Sequence, residues 1–241
     1  MNLILDIGNS RIKGYLFEGE QIVHKEETSG DVVSLAKNLL EHHPEIKYGI
    51  AVSTREKNPF LSGFLNRRLS CYIELDSDTP LPVKNLYRTP DTLGYDRIAG
   101  VVEAHARFPE KNVLVIDAGT AITYDLVTAT GEFERGNISP GLDMRFRALA
   151  TFADKLPRIT VKDTFPLIGK TTEEAIVTGV EAGTIAEVDG IIDLFKKKYD
   201  DLQIIITGGD AFFFDKKLKN SIFVFPELTA FGLNRVLTFN V

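Results

Sequence analysis

The chain has 241 residues, of which 44% are hydrophobic and 26% charged, with a formal net charge of −6. That is apolar content for one large domain or two smaller lobes. The acidic balance, with no long Lys/Arg block, excludes sequence-independent nucleic-acid binding, which runs on many cationic phosphate contacts. The single cysteine, Cys71, excludes an internal disulfide framework and fits a reducing compartment. No apolar run approaches a membrane span, and the first residues lack the basic and apolar regions of a signal peptide. A cytoplasmic protein with no membrane and no nucleic-acid partner is expected.

In chain order, Leu3-Ile4-Leu5 reads as a strand, Asp6-Ile7-Gly8-Asn9-Ser10 as a turn, and Ile12-Lys13-Gly14-Tyr15-Leu16-Phe17 as the returning strand. Apolar residues at 32, 35, 36, 39 and 40 have a helical period. Tyr48–Val52 and Cys71–Leu75 are strands. The stretch from Asp76 to Gly94 holds three prolines and reads as an irregular loop, long enough to be functional. Arg97–Phe108 is a helix. Val113–Ile116, Asp117-Ala118-Gly119-Thr120-Ala121 and Ile122–Val127 then repeat the opening pattern, the two aspartates lying 111 residues apart. Thr172–Phe195 is helical, its glycines at 179, 183 and 190 suggesting a break or close packing against a neighbour. Leu202–Ile206 is a strand ending in Thr207-Gly208-Gly209-Asp210, and Leu228–Leu237 is a closing helix. The echo predicts a duplicated α/β architecture: an N-terminal lobe at 1–110 and a C-terminal lobe at 111–241, joined near Phe108-Pro109-Glu110-Lys111.

Asp-x-Gly is by itself a common turn. Two copies after matching strands, with a Gly-Gly turn after a third, suit phosphate: glycine lets backbone N–H groups approach, hydroxyls stand beside them, and a carboxylate holds Mg²⁺ through water. Gly208-Gly209-Asp210 is placed near an adenosine. Gly169-Lys170-Thr171 is a decoy for a P-loop, because position 164 is Thr164 rather than glycine and Pro166 interrupts any preceding strand. The histidines, His24, His42, His43 and His105, have no metal-ligand spacing with Cys71.

The hairpins resemble the phosphate loops of the acetate and sugar kinase, Hsp70 and actin superfamily. Tyr87-Arg88-Thr89-Pro90 with Gly94-Tyr95-Asp96-Arg97 narrows this to a resemblance to type III pantothenate kinases, as do Asp117–Thr123, Gly136-Asn137-Ile138-Ser139-Pro140-Gly141, Ile168–Thr172 and Phe231-Gly232-Leu233. The resemblance runs from Leu3 to Leu237. Ser10, Tyr95, Asn137 and Thr171 depart from the commoner family residues, and none removes a needed carboxylate or hydroxyl.

The resemblance implies two duplicated ribonuclease H-like lobes with a nucleotide cleft between them, and ATP-dependent phosphorylation of pantothenate. It implies Asp96 as general base. Asp6, Ile7, Gly8, Asn9, Ser10, Arg11, Ile12, Lys13 and Thr120 would bind ATP, and Tyr87, Gly94, Tyr95, Asp96, Arg97 and Thr172 would bind substrate. Asp6 would hold Mg²⁺ through water, and Asp117 a monovalent cation, K⁺ or NH₄⁺. A homodimer is implied, with Ile176, Val177, Val180 and Ile185 on a helix suited to a two-fold interface. Structural readings stay open beside these. Asp96 and Thr171 or Thr172 suit helix N-caps, Arg97 suits an ion pair with Glu103, and Lys13 suits solvent. Tyr87 suits a half-buried loop position, and the apolar helix suits plain core packing. Another kinase or ATPase of the superfamily, or a non-catalytic nucleotide-binding regulator, would share the hairpins.

Overall fold

The computed structural model describes the chain except residues 90, 91 and 163, with no side chain described at 135. Pro90, part of the family-like run, therefore lies outside the described residues. The chain divides into two units: Met1–Arg107 with Gly131–Phe133 and Glu227–Val241, and Phe108–Thr130 with Glu134–Pro226.

The first unit is built on strands β1 (Asn2–Ile7), β2 (Ile12–Glu18), β3 (Gln21–Thr28), β4 (Tyr48–Ser53) and β5 (Cys71–Glu74), in the order β3-β2-β1-β4-β5. Strand alternation decides what each face receives. Leu3, Leu5 and Ile7 face the helices α1 (Val32–His42) and α2 (Pro59–Arg68), whose Leu35, Leu39, Leu61 and Leu65 complete one core. Asp6 therefore shares the other face with Ile4. Asp31 caps α1, accepting the Ser34 N–H at 2.9 Å. Asn58 caps α2 through the N–H groups of Phe60 and Leu61, with Pro59 opening the helix. Periodicity did not reveal α2, which buries only Leu61 and Leu65; the Asn-Pro pair was its legible signal.

Strand β6 (Lys84–Asn85) interrupts the irregular loop and pairs with Glu132 and Phe133, the first residues of β9 (Glu132–Pro140). Helix α3 (Tyr95–Arg107) starts two residues earlier than its apolar period suggested. It packs against α7 (Leu228–Asn240) so closely that a Cβ on Gly232 would stand 1.8 Å from the Ala99 carbonyl oxygen. Phe231 of α7 meets Phe17 of β2 edge-on, with ring centroids 5.1 Å apart.

In the second unit, β7 (Val113–Ala118), β8 (Ala121–Val127), the rest of β9, β10 (Gln203–Thr207) and β11 (Phe223–Val224) run in the order β9-β8-β7-β10-β11. The parallel with the first sheet is direct. In each, a hairpin (β1-β2 or β7-β8) has a parallel strand (β4 or β10) beside its first member. Helices α4 (Leu142–Phe152), α5 (Thr172–Lys196) and the short α6 (Ala211–Phe214) complete the unit. Val188 and Ile192 of α5 pack on Leu114, Ile116, Tyr124 and Ile206. Gly179, Gly183 and Gly190 do not break α5, and among the described residues a Cβ at any of them would meet nothing within 4 Å outside the helix's own backbone. Among the described residues, no helix is long and apolar enough to cross a membrane.

Candidate active site

The first hairpin begins with Asp6 paired across the ladder with Lys13, and Ile7 with Ile12. Ile7 and Ile12 are buried and anchor the turn, while Asn9, Ser10 and Arg11 are exposed at its tip. The Gly8 N–H closes the turn on the Arg11 carbonyl at 3.0 Å. Burial pushes the Asp6 carboxyl up to about 6; Lys13 pulls it back, and the charges of Asp96 and Glu27 push it further. Glu27 is also desolvated, yet its bonds from Lys25 and Arg11 hold it below the usual carboxylate range. Arg11 donates to Glu27 at 3.2 Å. This bond points Arg11 back to the sheet.

Asp96 lies in the first turn of α3, partly buried, and burial raises its carboxyl pKa, opposed by the Arg97 amide and guanidinium. Its Oδ1 accepts the Arg97 N–H at 2.9 Å. Asp96 is the second residue of α3 rather than its N-cap, so the capping reading does not hold; its carboxylate is desolvated and held by the amide of the next residue. A Cβ on Gly94 would lie 2.5 Å from that same Oδ1, so a larger residue there would displace the Asp96 carboxylate. Tyr95 opens the helix. The Arg97 side chain is buried, its guanidinium carbon 5.9 Å from the centre of the Tyr87 ring. Tyr87 is itself set by its N–H bond to Asn85 Oδ1 at 2.9 Å and by its ring lying parallel to Phe133 at 6.4 Å. Glu103, the alternative partner for Arg97, instead accepts from Arg107 at 3.1 Å and Arg235 at 2.5 Å. Six residues along a helix is about 240° of rotation, which takes Glu103 off the Arg97 face.

The second hairpin carries Asp117 opposite Thr123, and its turn closes with the Gly119 N–H on the Ala121 carbonyl at 3.0 Å. Thr120 is exposed at the tip. Gly208, with φ +93°, backs onto this hairpin: a Cβ there would lie 2.3 Å from the Ala118 carbonyl and 2.4 Å from Asp117 Oδ1. Gly141 does the same from the β9–α4 turn, 2.1 Å from the Gly119 carbonyl. That turn is tied down by Arg145, which donates to the Pro140 carbonyl at 2.8 Å and forks onto Glu187 at 2.9 and 2.8 Å. Ser139 and Tyr124 also donate to Glu187, at 2.7 and 3.2 Å. Glu187 is desolvated, but these donors hold its carboxyl below the usual range. Burial, then the Asp143 charge, raises Asp210.

Thr172 is exposed on a separate element, the first residue of α5. Thr171 is the N-cap: its Oγ1 accepts the Glu174 N–H at 3.1 Å, and Glu174 accepts the amides of Lys170 and Thr171 at 2.6 and 3.2 Å. Those amides are spent within the protein, which disposes of the P-loop decoy.

The profile of the type III pantothenate kinase family matches residues 2–194. The chain is 44% identical over 240 residues to the type III pantothenate kinase of Bacteroides fragilis, covering all of this chain and 98% of that one. It is 45% identical to that of Phocaeicola vulgatus, covering all of this chain and 99% of that one.

The chain belongs to the type III pantothenate kinase family.

Solved structures agree on the fold. A glucokinase from an Antarctic psychrotroph superposes with a TM-score of 0.56 at 11% identity, over 99% of this chain and 98% of that one. A structure from Campylobacter jejuni described as a Baf family transcriptional activator gives 0.60 at 22%, over 99% and 98%. The fold is thus the two-lobed α/β architecture of sugar-kinase-like proteins.

Within this family frame, the first unit assembles residues 6–13, 87 and 94–97. The second places Asp117 and Thr120 on one hairpin and Thr172 elsewhere. Arg55, Glu27, Arg145 and Glu187 escaped the sequence reading. They belong to no motif, and their partners lie 42 to 47 residues away or on another strand.

Proposed function

We propose that this enzyme transfers the γ-phosphoryl group of ATP to the hydroxyl of pantothenate, giving 4′-phosphopantothenate, the first step of coenzyme A biosynthesis. Pantothenate and ATP are its substrates. The observation that carries the residue assignment is that Asp96 and Asp6 lie close enough for the Asp96 charge to raise the Asp6 carboxyl. A phosphate hairpin and a carboxylate base within reach of each other are what in-line transfer needs.

Asp96 orients the acceptor hydroxyl and takes its proton as the new P–O bond forms and the bond from the γ-phosphorus to the bridging oxygen breaks, leaving ADP. An ordinary carboxylate is a weak base toward an alcohol, so the proton moves late; the raised Asp96 carboxyl suits that task. Arg97, buried beside Tyr87, holds the pantothenate carboxylate; Gly94 and Tyr95 line the same substrate, and the family resemblance assigns Thr172 to substrate from its own or the partner subunit. The backbone of residues 7–12 with Ser10 and Lys13 holds phosphate oxygens, as does Thr120. Asp6, pushed up by burial and, against Lys13, by the charges of Asp96 and Glu27, would hold a cation through water. Mg²⁺ bound there supplies charge neutralisation of the phosphates. Asp117 is assigned to K⁺ or NH₄⁺. Ile176, Val177 and Val180 are buried in a core with Leu142 and Phe146 rather than free for a two-fold interface; we further propose a cytoplasmic homodimer that uses the exposed face of α5.

The test is ATP consumption with Mg²⁺ and K⁺, with and without pantothenate. Turnover that requires pantothenate is expected; pantothenate-independent hydrolysis, or none, overturns the substrate assignment. Asp117→Ala is expected to flatten the K⁺ titration and weaken ATP binding. An unchanged K⁺ titration removes Asp117 from that role.

A further inference from the structure

Arg55 follows β4 by two residues and has no assigned role. Its backbone is fixed by Ser53: the Arg55 N–H donates to Ser53 Oγ at 3.0 Å, and Ser53 Oγ donates back to the Arg55 carbonyl at 3.1 Å. One residue earlier, the Thr54 N–H donates to the Ile7 carbonyl at 3.0 Å. From this platform the guanidinium reaches the tip of the first hairpin. Nε donates to the Gly8 carbonyl at 2.8 Å and Nη2 to the Asn9 carbonyl at 3.0 Å.

The consequence follows from peptide geometry. In a trans peptide the C=O and N–H point in opposite directions, and the chain has no cis peptide among the described residues. Holding the carbonyls of Gly8 and Asn9 toward Arg55 aims the N–H groups of Asn9 and Ser10 away from it. Among the described residues, neither of these amides donates to a protein acceptor. Two successive amides so aimed are an anion-binding concavity. A guanidinium suits this work, because its planar fork bonds two adjacent carbonyls at once, which a lysine ammonium does not do in a fixed plane. The charge lies behind the peptides and adds to the positive ends of their dipoles.

We propose that Arg55 is a positioning residue that presets the Asn9 and Ser10 amides for the phosphates of ATP. The proposal rests on the nucleotide assignment of the first hairpin, given above. It makes Arg55 act on nucleotide affinity and leaves the acceptor side alone.

The experiment compares wild type, Arg55→Ala and Arg55→Lys, each first checked for an unchanged thermal midpoint. Binding of a non-hydrolysable ATP analogue with Mg²⁺ is measured by calorimetry, separately from turnover. Arg55→Ala is expected to weaken analogue binding and raise KM for ATP about tenfold, the effect of losing two oriented bonds at an exposed site, with KM for pantothenate changed less than about twofold. Added guanidinium ion at millimolar concentration restores part of the affinity to Arg55→Ala and none to wild type. Arg55→Lys is intermediate. Unchanged analogue binding in both variants overturns the proposal. So does a loss that falls equally on ATP, pantothenate and kcat without a guanidinium response, since that describes a merely structural residue. If wild type binds the analogue but fails to phosphorylate pantothenate, the substrate assignment falls while the analogue titrations still decide Arg55.

Discussion

The two hairpins have the same antiparallel pairing pattern but are held in different ways. At the tip of the first, a side chain does the holding: Arg55 reaches over from the end of β4 to the Gly8 and Asn9 carbonyls. At the second, backbone does it: Gly208, from the corresponding end of β10, and Gly141, from the β9–α4 turn, stand against Ala118 and Gly119 with no room for a Cβ. The strand registers make the two places equivalent, Asp6 pairing with Val52 and Asp117 with Thr207. Duplication conserved the scaffold while the support diverged. A long side chain tolerates adjustment, whereas abutting backbone does not. The first hairpin is therefore the tunable one and the second the rigid one.

Three tests sharpen or break that contrast. The largest effect is expected where the first unit carries the chemistry. Asp96→Asn keeps the amide oxygen that accepts the Arg97 N–H, so the fold should hold while kcat falls about a thousandfold. A kcat within tenfold of wild type would remove Asp96 as the base. Next, Gly141→Ala should cost about 3 kcal/mol in the second unit, because the Gly119 carbonyl oxygen 2.1 Å from the new Cβ is backbone and cannot swing aside. The same change at Gly8, where a Cβ meets only the Arg11 carbonyl at 3.1 Å, should cost less than about 1 kcal/mol. Equal losses in thermal melts of the two variants would abolish the distinction between rigid and tunable.

The third concerns pH and the metal-free protein. The Asp6 carboxyl is near 6 in the folded state against 3.8 for the unperturbed group. Between about pH 4 and 6 the folded chain keeps a proton that the unfolded chain has lost, so stability should fall as pH rises through that window and stay lower above it. Asp6→Asn should remove this slope and gain about 2 kcal/mol at pH 7 in chelator. A denaturant midpoint that rises with pH over this range, or a variant no more stable than wild type, would contradict the desolvated carboxylate.

The sequence announced what depends on local pattern. Both Asp-x-Gly hairpins, their flanking strands, and helices α1, α3, α5 and α7 follow from apolar period and turn residues. The two-lobed α/β fold follows from the internal echo. The proposed site rests, as far as the sequence goes, on short runs at 6–13 and 94–97. What escaped depends on distance along the chain. Arg55 meets Gly8 across 47 positions and Arg145 meets Glu187 across 42, and no local rule selects one arginine among many for such work. The glycines of α5 were open to two readings, a break or close packing. The helix runs through them, and among the described residues a Cβ at any of them meets nothing within 4 Å outside the helix's own backbone.

Helix α7 follows the whole second unit in sequence yet packs within the first, with Gly232 against Ala99 of α3 and Asn234 hydrogen-bonded to Asn2 and Gly19. During synthesis, the helix that carries Asp96 must therefore wait, its packing face uncovered, until the ribosome has translated more than a hundred further residues. The first unit is begun first and finished last. A chain that stops before position 228 lacks the helix that covers α3 within the first unit.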